Sequence, residues 1–145
     1  MADLDKDLSR ILDSYATAVH AKDVTALMRL YDPSVRVFDT WGVWSYEGAD
    51  AWQRALEGWF SSLGTERVKV RFEAVQAWPG KELTALSALV SYEGLSAAGE
   101  SLRTLQNRIS WVLRTVGHVP RIVHEHSSAP IGFADAKAIL APTQA

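Results

Sequence analysis

The residues best suited to chemistry are an aspartate that closes a strand pattern and a tyrosine on a helical pattern. Asp39 ends the alternating segment 35–39, so it shares a strand face with two valines. Burial there would raise the pKa of its carboxyl group toward that of a general base. Tyr15 lies on the apolar side of a helical pattern, where its hydroxyl could donate to a developing oxyanion. The alternative is an aspartate that caps a turn near Gly42 and a tyrosine that only packs in the core.

Two of the four histidines fall in residues 121–130, RIVHEHSSAP. Residues two apart on a strand share a face, so one face is predicted to carry Ile122, His124, His126 and Ser128, and the other Arg121, Val123, Glu125 and Ser127. A metal site would need a third ligand, and only Asp39 or the distant His20 offers one. We therefore expect no metal. One imidazole is predicted to enter a pocket as a hydrogen-bonding or proton-transferring group, and the alternative is that both are structural.

An arginine on the preceding strand pattern is a candidate for ligand binding. Arg108 shares a face with Ser110 and could bind a carboxylate or an enolate in bidentate fashion, or pair with Asp39. A water held between Asp39 and Arg108 would permit hydrolysis, which is a weaker possibility. The alternative for Arg108 is a surface ion pair with Glu125 or Glu100.

Tryptophan is the one compositional excess, with six in 145 residues. Such aromatic side chains fill a core or line a pocket for a flat, apolar ligand. The pocket interpretation predicts that its wall includes Trp41, Trp44, Tyr46, Trp52 and Trp59. No glycine-rich phosphate loop, nucleophile elbow or EF-hand spacing is present, so no cofactor is expected.

Composition limits the partners. The chain is 48% hydrophobic and 22% charged, as in one ordinary globular domain. Its 15 basic and 17 acidic residues are scattered, so no basic stripe favours nucleic acid. No apolar run approaches the roughly 18 residues of a membrane span, and the first residues lack the features of a signal peptide. We expect a cytoplasmic protein with no membrane or nucleic-acid partner.

The hydrophobic periodicity predicts an α+β domain. Apolar residues at helical spacing predict helices over residues 4–19 and 49–63, and a short one that begins after Asp23 and runs through Tyr31. Residues 68–128 alternate like four antiparallel strands joined by turns. Apolar residues on both faces of these strands predict a sheet covered by helices on one side and by a second subunit on the other. Residues 131–145 are predicted to form a tail or a short helix.

The order of these elements resembles the nuclear transport factor 2-like superfamily. Residues 108–114, RISWVLR, followed by residues 121–130, resemble the last hairpin of SnoaL-like domains, and the calcium/calmodulin-dependent protein kinase II association domain has a similar ending. The resemblance implies a cone in which a curved, mainly antiparallel sheet wraps three N-terminal helices around a pocket, with residues 1–130 as the domain. It also implies a homodimer, and it makes His126 the histidine that faces the pocket.

Residues 14–56 are similar to the ketosteroid isomerases, another branch of the superfamily. Tyr15 matches their oxyanion-binding tyrosine, and Val37-Phe-Asp39 with Gly42 matches the strand that carries their catalytic aspartate. Their third site residue is a protonated acid in the sheet, and residues 108–110 offer none. The resemblance implies cofactor-independent proton transfer on a carbonyl-bearing substrate, of isomerase, cyclase or dehydratase type. The alternative is a non-catalytic carboxylate-binding or oligomerisation domain.

Overall fold

The fold is three helices packed on one face of a six-stranded sheet, as a computed structural model describes it for residues 5–142. The helices are α1 Lys6–Ala21, α2 Val24–Met28 and α3 Ala49–Ser62. The strands are β1 Tyr31–Phe38, β2 Tyr46–Glu47, β3 Arg67–Trp78, β4 Leu83–Leu95, β5 Ser101–Val116 and β6 Val119–Ser128. The predicted α+β class is confirmed. The predicted start of the first helix at Leu4 lies outside the described residues.

The helices begin and end where local chemistry allows. The Asp5 side chain accepts a hydrogen bond from the Asp7 amide and caps α1, which ends at Lys22 in the left-handed conformation. The prediction that the second helix runs through Tyr31 is wrong, because α2 ends at Met28 and Tyr31 begins β1. Tyr31 is drawn into the sheet by its pairing with Ile122 on β6.

The strand order in the sheet is β2-β1-β6-β5-β4-β3. The four predicted meander strands, β3 to β6, pair in antiparallel fashion, as expected. β1 pairs with β6 in parallel, so the sheet is mixed although mainly antiparallel. Register shifts interrupt the ladders β3–β4, β4–β5 and β5–β6, and such bulges bend and twist a sheet.

A bulge in β6 reverses part of the predicted face assignment. Leu113 pairs with Ile122, but the next residue back, Val112, pairs with His124, so Val123 is an extra residue in β6. Ile122 is buried with the helices, and after the bulge the same side is occupied by the odd-numbered residues Glu125 and Ser127. The prediction that Ile122 shares a face with the two histidines is therefore wrong.

The chain continues past β6 as a tail without a helix in residues 129–142. Ile131 forms an isolated bridge with Ala138, and the Leu140 carbonyl accepts a hydrogen bond from the Gln106 amide of β5. The tail thus lies beside the part of β5 that precedes its pairing with β6. Of the two predicted forms, residues 131–142 adopt the tail and not the short helix, and residues 143–145 lie outside the described part. No helix between residues 5 and 142 has the length and apolarity to cross a membrane.

Candidate functional site

A cavity of about 480 Å³ lies between α1, α3 and the inner face of the sheet. Six of the predicted site residues line it, namely Tyr15, Asp39, Trp41, Tyr46, Trp52 and Trp59. The wall is further completed by residues that were not predicted, among them Tyr92, Asn107, Glu125 and Ser127. The structure thus brings the aspartate, the tyrosine and most of the aromatic residues together in one cavity.

Asp39 follows β1 directly and enters the cavity as a hydrogen-bonded carboxylate. The Ser127 hydroxyl donates to Asp39 Oδ1 over 3.1 Å. That serine is held in turn by Thr40, whose amide and hydroxyl both donate to Ser127 Oγ over 2.9 Å. Burial raises the pKa of Asp39, while the bonds from Ser127 and from the amides of Trp41 and Thr40 oppose the rise. A carboxylate so placed is a proton acceptor in a largely apolar cavity.

Tyr15 shares its hydroxyl with a second tyrosine. Its oxygen lies 3.0 Å from that of Tyr92 on β4, so one phenol donates to the other and one proton remains for a ligand. The Tyr15 ring packs against Phe72 and Trp111, with centroids 5.6 and 5.5 Å away. Burial raises the pKa of both hydroxyl groups, which keeps them protonated. The pair is a rigid hydrogen-bond donor.

Glu125 is a buried carboxyl group that the sequence interpretation assigned to the wrong face. It is 2% exposed, and its Oε1 accepts hydrogen bonds from the Tyr31 hydroxyl over 2.6 Å and from the Trp111 indole over 2.8 Å. Burial raises its pKa to about 7, and the two hydrogen bonds oppose the rise. Both bonds end on Oε1, so Oε2 is the oxygen that can carry a proton. Residues 108–110 supply no acid, as predicted, but the neighbouring strand β6 supplies one to the cavity, which the sequence interpretation missed.

Four predicted site residues lie on the outer face of the sheet, away from the cavity: Arg108, Ser110, His124 and His126. The Nε of Arg108 donates to Ser128 Oγ over 3.2 Å, and Ser110 is exposed. The prediction that Arg108 binds a carboxylate in the cavity or holds a water together with Asp39 is therefore wrong. The hydrolysis hypothesis depended on that water and is wrong as well.

The histidines also face outward because of the bulge in β6. The rings of His124 and His126 pack on the edges of Phe38, with centroid distances of 5.1 and 5.3 Å. His124 Nδ1 lies 2.8 Å from the Arg36 carbonyl oxygen. The predictions that His126 faces the pocket and that His124 contacts a ligand there are wrong. Within the described chain, no three residues of metal-binding type form a cluster.

The aromatic wall of the cavity is built mainly by α3 and β2. Tyr46 packs against Trp52 at a centroid distance of 5.2 Å, and Trp59 packs against Tyr92 at 6.0 Å. Trp41 is 50% exposed and lies at the mouth. Trp44 is 96% exposed and does not line the cavity, so its predicted role is wrong. The remaining wall suits a flat, apolar molecule.

Comparison with known proteins identifies relatives of this fold. A family model described as the SnoaL-like domain matches residues 8–132. No curated protein matches the chain. A nuclear transport factor 2-like protein of unknown function from Pseudomonas putida superposes with a TM-score of 0.81 at 18% identity, over 94% of each chain.

Two further solved structures are similar at lower identity. A protein from Xanthomonas campestris, assigned as a calcium/calmodulin-dependent protein kinase II association domain, has a TM-score of 0.74 at 14% identity, over 89% of this chain and 90% of its own. Aln2 from Streptomyces has a TM-score of 0.77 at 11% identity, over 84% of this chain and 87% of its own. Likeness at such identity establishes the fold alone.

Proposed function

Because this chain belongs to the SnoaL-like domain family and has a nuclear transport factor 2-like fold, we propose that it is an enzyme that moves a proton on a carbonyl-bearing, apolar small molecule. The reaction needs no cofactor and is of the isomerase, cyclase or dehydratase type. The observation that carries the proposal is the pairing, in one aromatic cavity, of a hydrogen-bonded carboxylate with a buried carboxyl group whose pKa burial raises to about 7. Two acids in different environments can divide the work of base and acid between them.

Asp39 is the proposed base. It removes a proton from the carbon next to the substrate carbonyl. The electron pair of that C–H bond forms a carbon–carbon double bond, and the π pair of the carbonyl group moves onto its oxygen to give an enolate. The protonated Asp39 then returns its proton to another carbon of the conjugated system or to a leaving hydroxyl. The raised pKa of Asp39 favours this shuttle, because a base is most efficient when its pKa approaches the working pH.

The Tyr15–Tyr92 pair, through its one free hydroxyl proton, and protonated Glu125 are the proposed donors to the enolate oxygen. Tyr15 and Glu125 are buried, Tyr92 is half-buried, and all three are hydrogen-bonded before any ligand arrives, so little reorganisation accompanies the reaction. Donors fixed in advance around a developing charge make a large contribution to catalysis. Among residues 5–142, the buried Oδ1 of Asn107 has no hydrogen-bond partner, so it is available to accept a bond from a polar ligand group.

The proposal is tested by deuterium exchange at the α carbon of a bicyclic ketone. Wild-type protein in catalytic amount should accelerate the exchange of the α protons of β-tetralone in deuterated water, followed by proton NMR. The control is the same protein unfolded in urea and diluted to the same concentration. Saturable binding without accelerated exchange would reject catalysis in favour of a non-catalytic binding domain, which is the competing function.

The two tyrosines should share the stabilisation of the enolate. We expect Tyr15→Phe and Tyr92→Phe each to lower the exchange rate by about 10- to 100-fold, since loss of one oxyanion donor lowers rates by about 10²- to 10³-fold and the partner phenol remains. The matched control is Tyr46→Phe, which removes a hydroxyl from the cavity wall outside the pair. If Tyr46→Phe lowers the rate as much as the other two, the specific role of the pair is rejected.

We also propose that the outer face of the sheet pairs with a second copy of the chain, as the family resemblance implies. Three large apolar side chains on that face, Trp78, Leu83 and Leu89, are 50%, 49% and 40% exposed. We expect the protein to sediment as a dimer and Leu89→Glu to sediment as a monomer, because a charge at an apolar interface is strongly disfavoured. Val43→Glu, in the exposed loop between β1 and β2, is the control and should remain dimeric. A monomeric wild type at micromolar concentration would contradict the proposal.

The cytoplasmic location stays a prediction.

A further inference from the structure

Arg103 gives the mouth of the cavity a positive charge. Of the residues that line the cavity, all of which lie between residues 5 and 142, it is the only arginine or lysine. The two acidic residues of the wall lie elsewhere, Asp39 after the end of β1 and Glu125 on β6. The Arg103 side chain is 51% exposed, so it can meet an entering molecule. An anionic ligand would thus be attracted at the mouth and repelled farther in, which orients it.

The guanidinium of Arg103 lies across a glycine of the neighbouring strand. Gly94 on β4 pairs with Arg103, and a Cβ at Gly94 would lie 3.3 Å from Arg103 Cζ and 3.4 Å from its Nη1. A larger residue at Gly94 would push the guanidinium away from its position at the cavity mouth by a few tenths of an ångström or more. A glycine weakens a strand interior and is found where another group approaches the backbone closely. Next to this pair, Leu102 is an extra residue in β5, and bulges of this kind redirect side chains.

Glu66 holds the guanidinium in place. Arg103 Nη2 lies 2.7 Å from Glu66 Oε2, and Nη1 lies 3.3 Å from Oε1. As a surface ion pair this contact would contribute little to the stability of the fold, which gives no reason for the glycine below it. Because a guanidinium has five N–H donors, the pair leaves donors free for a second carboxylate. Glu66 acts as the counter-ion that a ligand carboxylate can join or replace.

We propose that Arg103 selects the substrate by its carboxylate, so that the site takes flat, apolar oxo-carboxylic acids with the carboxylate at the mouth and the carbonyl at Tyr92. This inference deepens the proposed function and rests on it for the role of the carbonyl. Tyr92 and Gly94 are two residues apart on the same face of β4, about 7 Å along the strand. The aromatic side chains of α3 would hold the body of the molecule between these two polar ends.

The test compares an acid with its uncharged ester. β-Naphthoic acid and its methyl ester are titrated into the full-length protein, and binding is followed by quenching of tryptophan fluorescence. Wild-type protein should bind the acid at least tenfold more tightly than the ester, since a hydrogen bond to a charged group is worth about tenfold or more in affinity. Arg103→Gln should abolish the preference. Arg103→Lys should keep part of it, because lysine retains the charge but not the bidentate geometry.

Two further variants separate recognition from structure. Glu66→Gln should tighten binding of the acid severalfold and leave the ester unchanged, because the competing carboxylate is removed. Arg108→Gln, on the outer face of the same strand, should keep the wild-type preference. The proposal is overturned if wild type binds neither probe, if it binds both equally, or if Arg103→Gln weakens both to the same degree. These are binding measurements, so a preference for acid that persists without proton exchange would reject the proposed catalysis and leave Arg103 as the selector.

Discussion

Asp39→Asn should lower the rate of α-proton exchange by about 10²- to 10⁴-fold, the usual contribution of a positioned general base. The amide has nearly the shape of the carboxylate, and its oxygen can still accept the hydrogen bond from Ser127. It cannot accept a proton from carbon at neutral pH. The measurement is the initial rate of deuterium incorporation into β-tetralone under saturating ketone, compared with the affinity for the same ketone from fluorescence quenching.

The affinity should change less than threefold while the rate falls, which distinguishes loss of the base from loss of the cavity. Asp50→Asn in the first turn of α3 is the matched control and should behave as wild type. A rate for Asp39→Asn within threefold of wild type would reject Asp39 as the base.

The pH profile supplies a second test of the same residue. The Ser127 hydroxyl stabilises the charged form of Asp39 and so lowers its pKa against the effect of burial. Ser127→Ala should therefore raise the pKa of Asp39, and the pH at which activity rises should move upward. The direction is diagnostic, because a merely structural defect would lower the rate at every pH without moving the midpoint. If Asp39 is the titrating base and the midpoint of the pH profile is the same in Ser127→Ala as in wild type, the hydrogen bond from Ser127 to Asp39 is contradicted.

Asp39 and Tyr15 could be predicted from the sequence because each depends on a short, uninterrupted pattern. Tyr15 follows from the helical period of α1, which has its apolar face buried as expected. Asp39 follows from the alternation of β1 and from the resemblance to the ketosteroid isomerases. Neither inference requires knowledge of how the strands pair. The order of the helices and the four meander strands was accessible for the same reason.

Glu125 and His126 lie on the opposite faces of the sheet from those predicted, because side chains alternate between faces only while a strand remains regular. One extra residue, Val123, places every later residue of β6 on the opposite face of the sheet from the one that strict alternation predicts. The error at this one position therefore reversed the predicted faces for the whole end of the strand. The bulge occurs where β6 meets both β5 and the parallel β1, whose registers shift at the same level. No local pattern encodes a pairing between residues about ninety positions apart. An acid between two histidines was visible in the sequence, but its side was not.

Exposure of Trp44 illustrates another limit. Its loop joins β1 to β2, and aromatic content alone does not reveal whether a loop side chain turns inward or outward. Trp41 does turn toward the cavity, three residues earlier, while Trp44 is almost fully exposed. Gly42 between them has a φ of +84°, a conformation that side chains other than glycine rarely adopt. The loop geometry, and not composition, decides which tryptophan reaches the ligand.

Glu125 is expected to make the protein less stable as the pH rises from about 5 to 7. Its pKa is raised to about 7 in the folded protein from an ordinary 4.5, so in this range the folded state retains a proton that the unfolded state has released. The free energy of unfolding then falls with increasing pH, by about 3 kcal/mol in total, and levels off above pH 7. Asp39 contributes with the same sign because its pKa is also raised. Urea denaturation followed by tryptophan fluorescence at several pH values measures the effect.

Glu125→Gln isolates the contribution of this one group. The amide oxygen can still accept the hydrogen bonds from Tyr31 and Trp111, but the side chain no longer titrates. At pH 5 the variant should have nearly the stability of wild type, and at pH 8 it should be more stable by about 1–3 kcal/mol, since wild type must then bury a charge. Glu73→Gln on β3, an exposed position, should change neither value by more than about 0.5 kcal/mol. Parallel pH dependence in Glu125→Gln and wild type would contradict a proton on Glu125.

Glu125→Ala tests the acceptor role of the same carboxyl group. Without it the Tyr31 hydroxyl and the Trp111 indole N–H are buried with no acceptor, and each such donor costs about 1–3 kcal/mol. The alanine variant should be less stable than wild type by about 3–5 kcal/mol at pH 5, and this difference should shrink toward pH 8, where wild type must bury the charge of Glu125. The alanine variant should therefore be less stable than the glutamine variant by a similar amount at pH 5 and pH 8, whereas the glutamine variant gains stability relative to wild type only at the higher pH. That contrast separates the two roles of Glu125: an acceptor that positions Tyr31 and Trp111 at every pH, and a proton donor to the ligand only while it remains neutral.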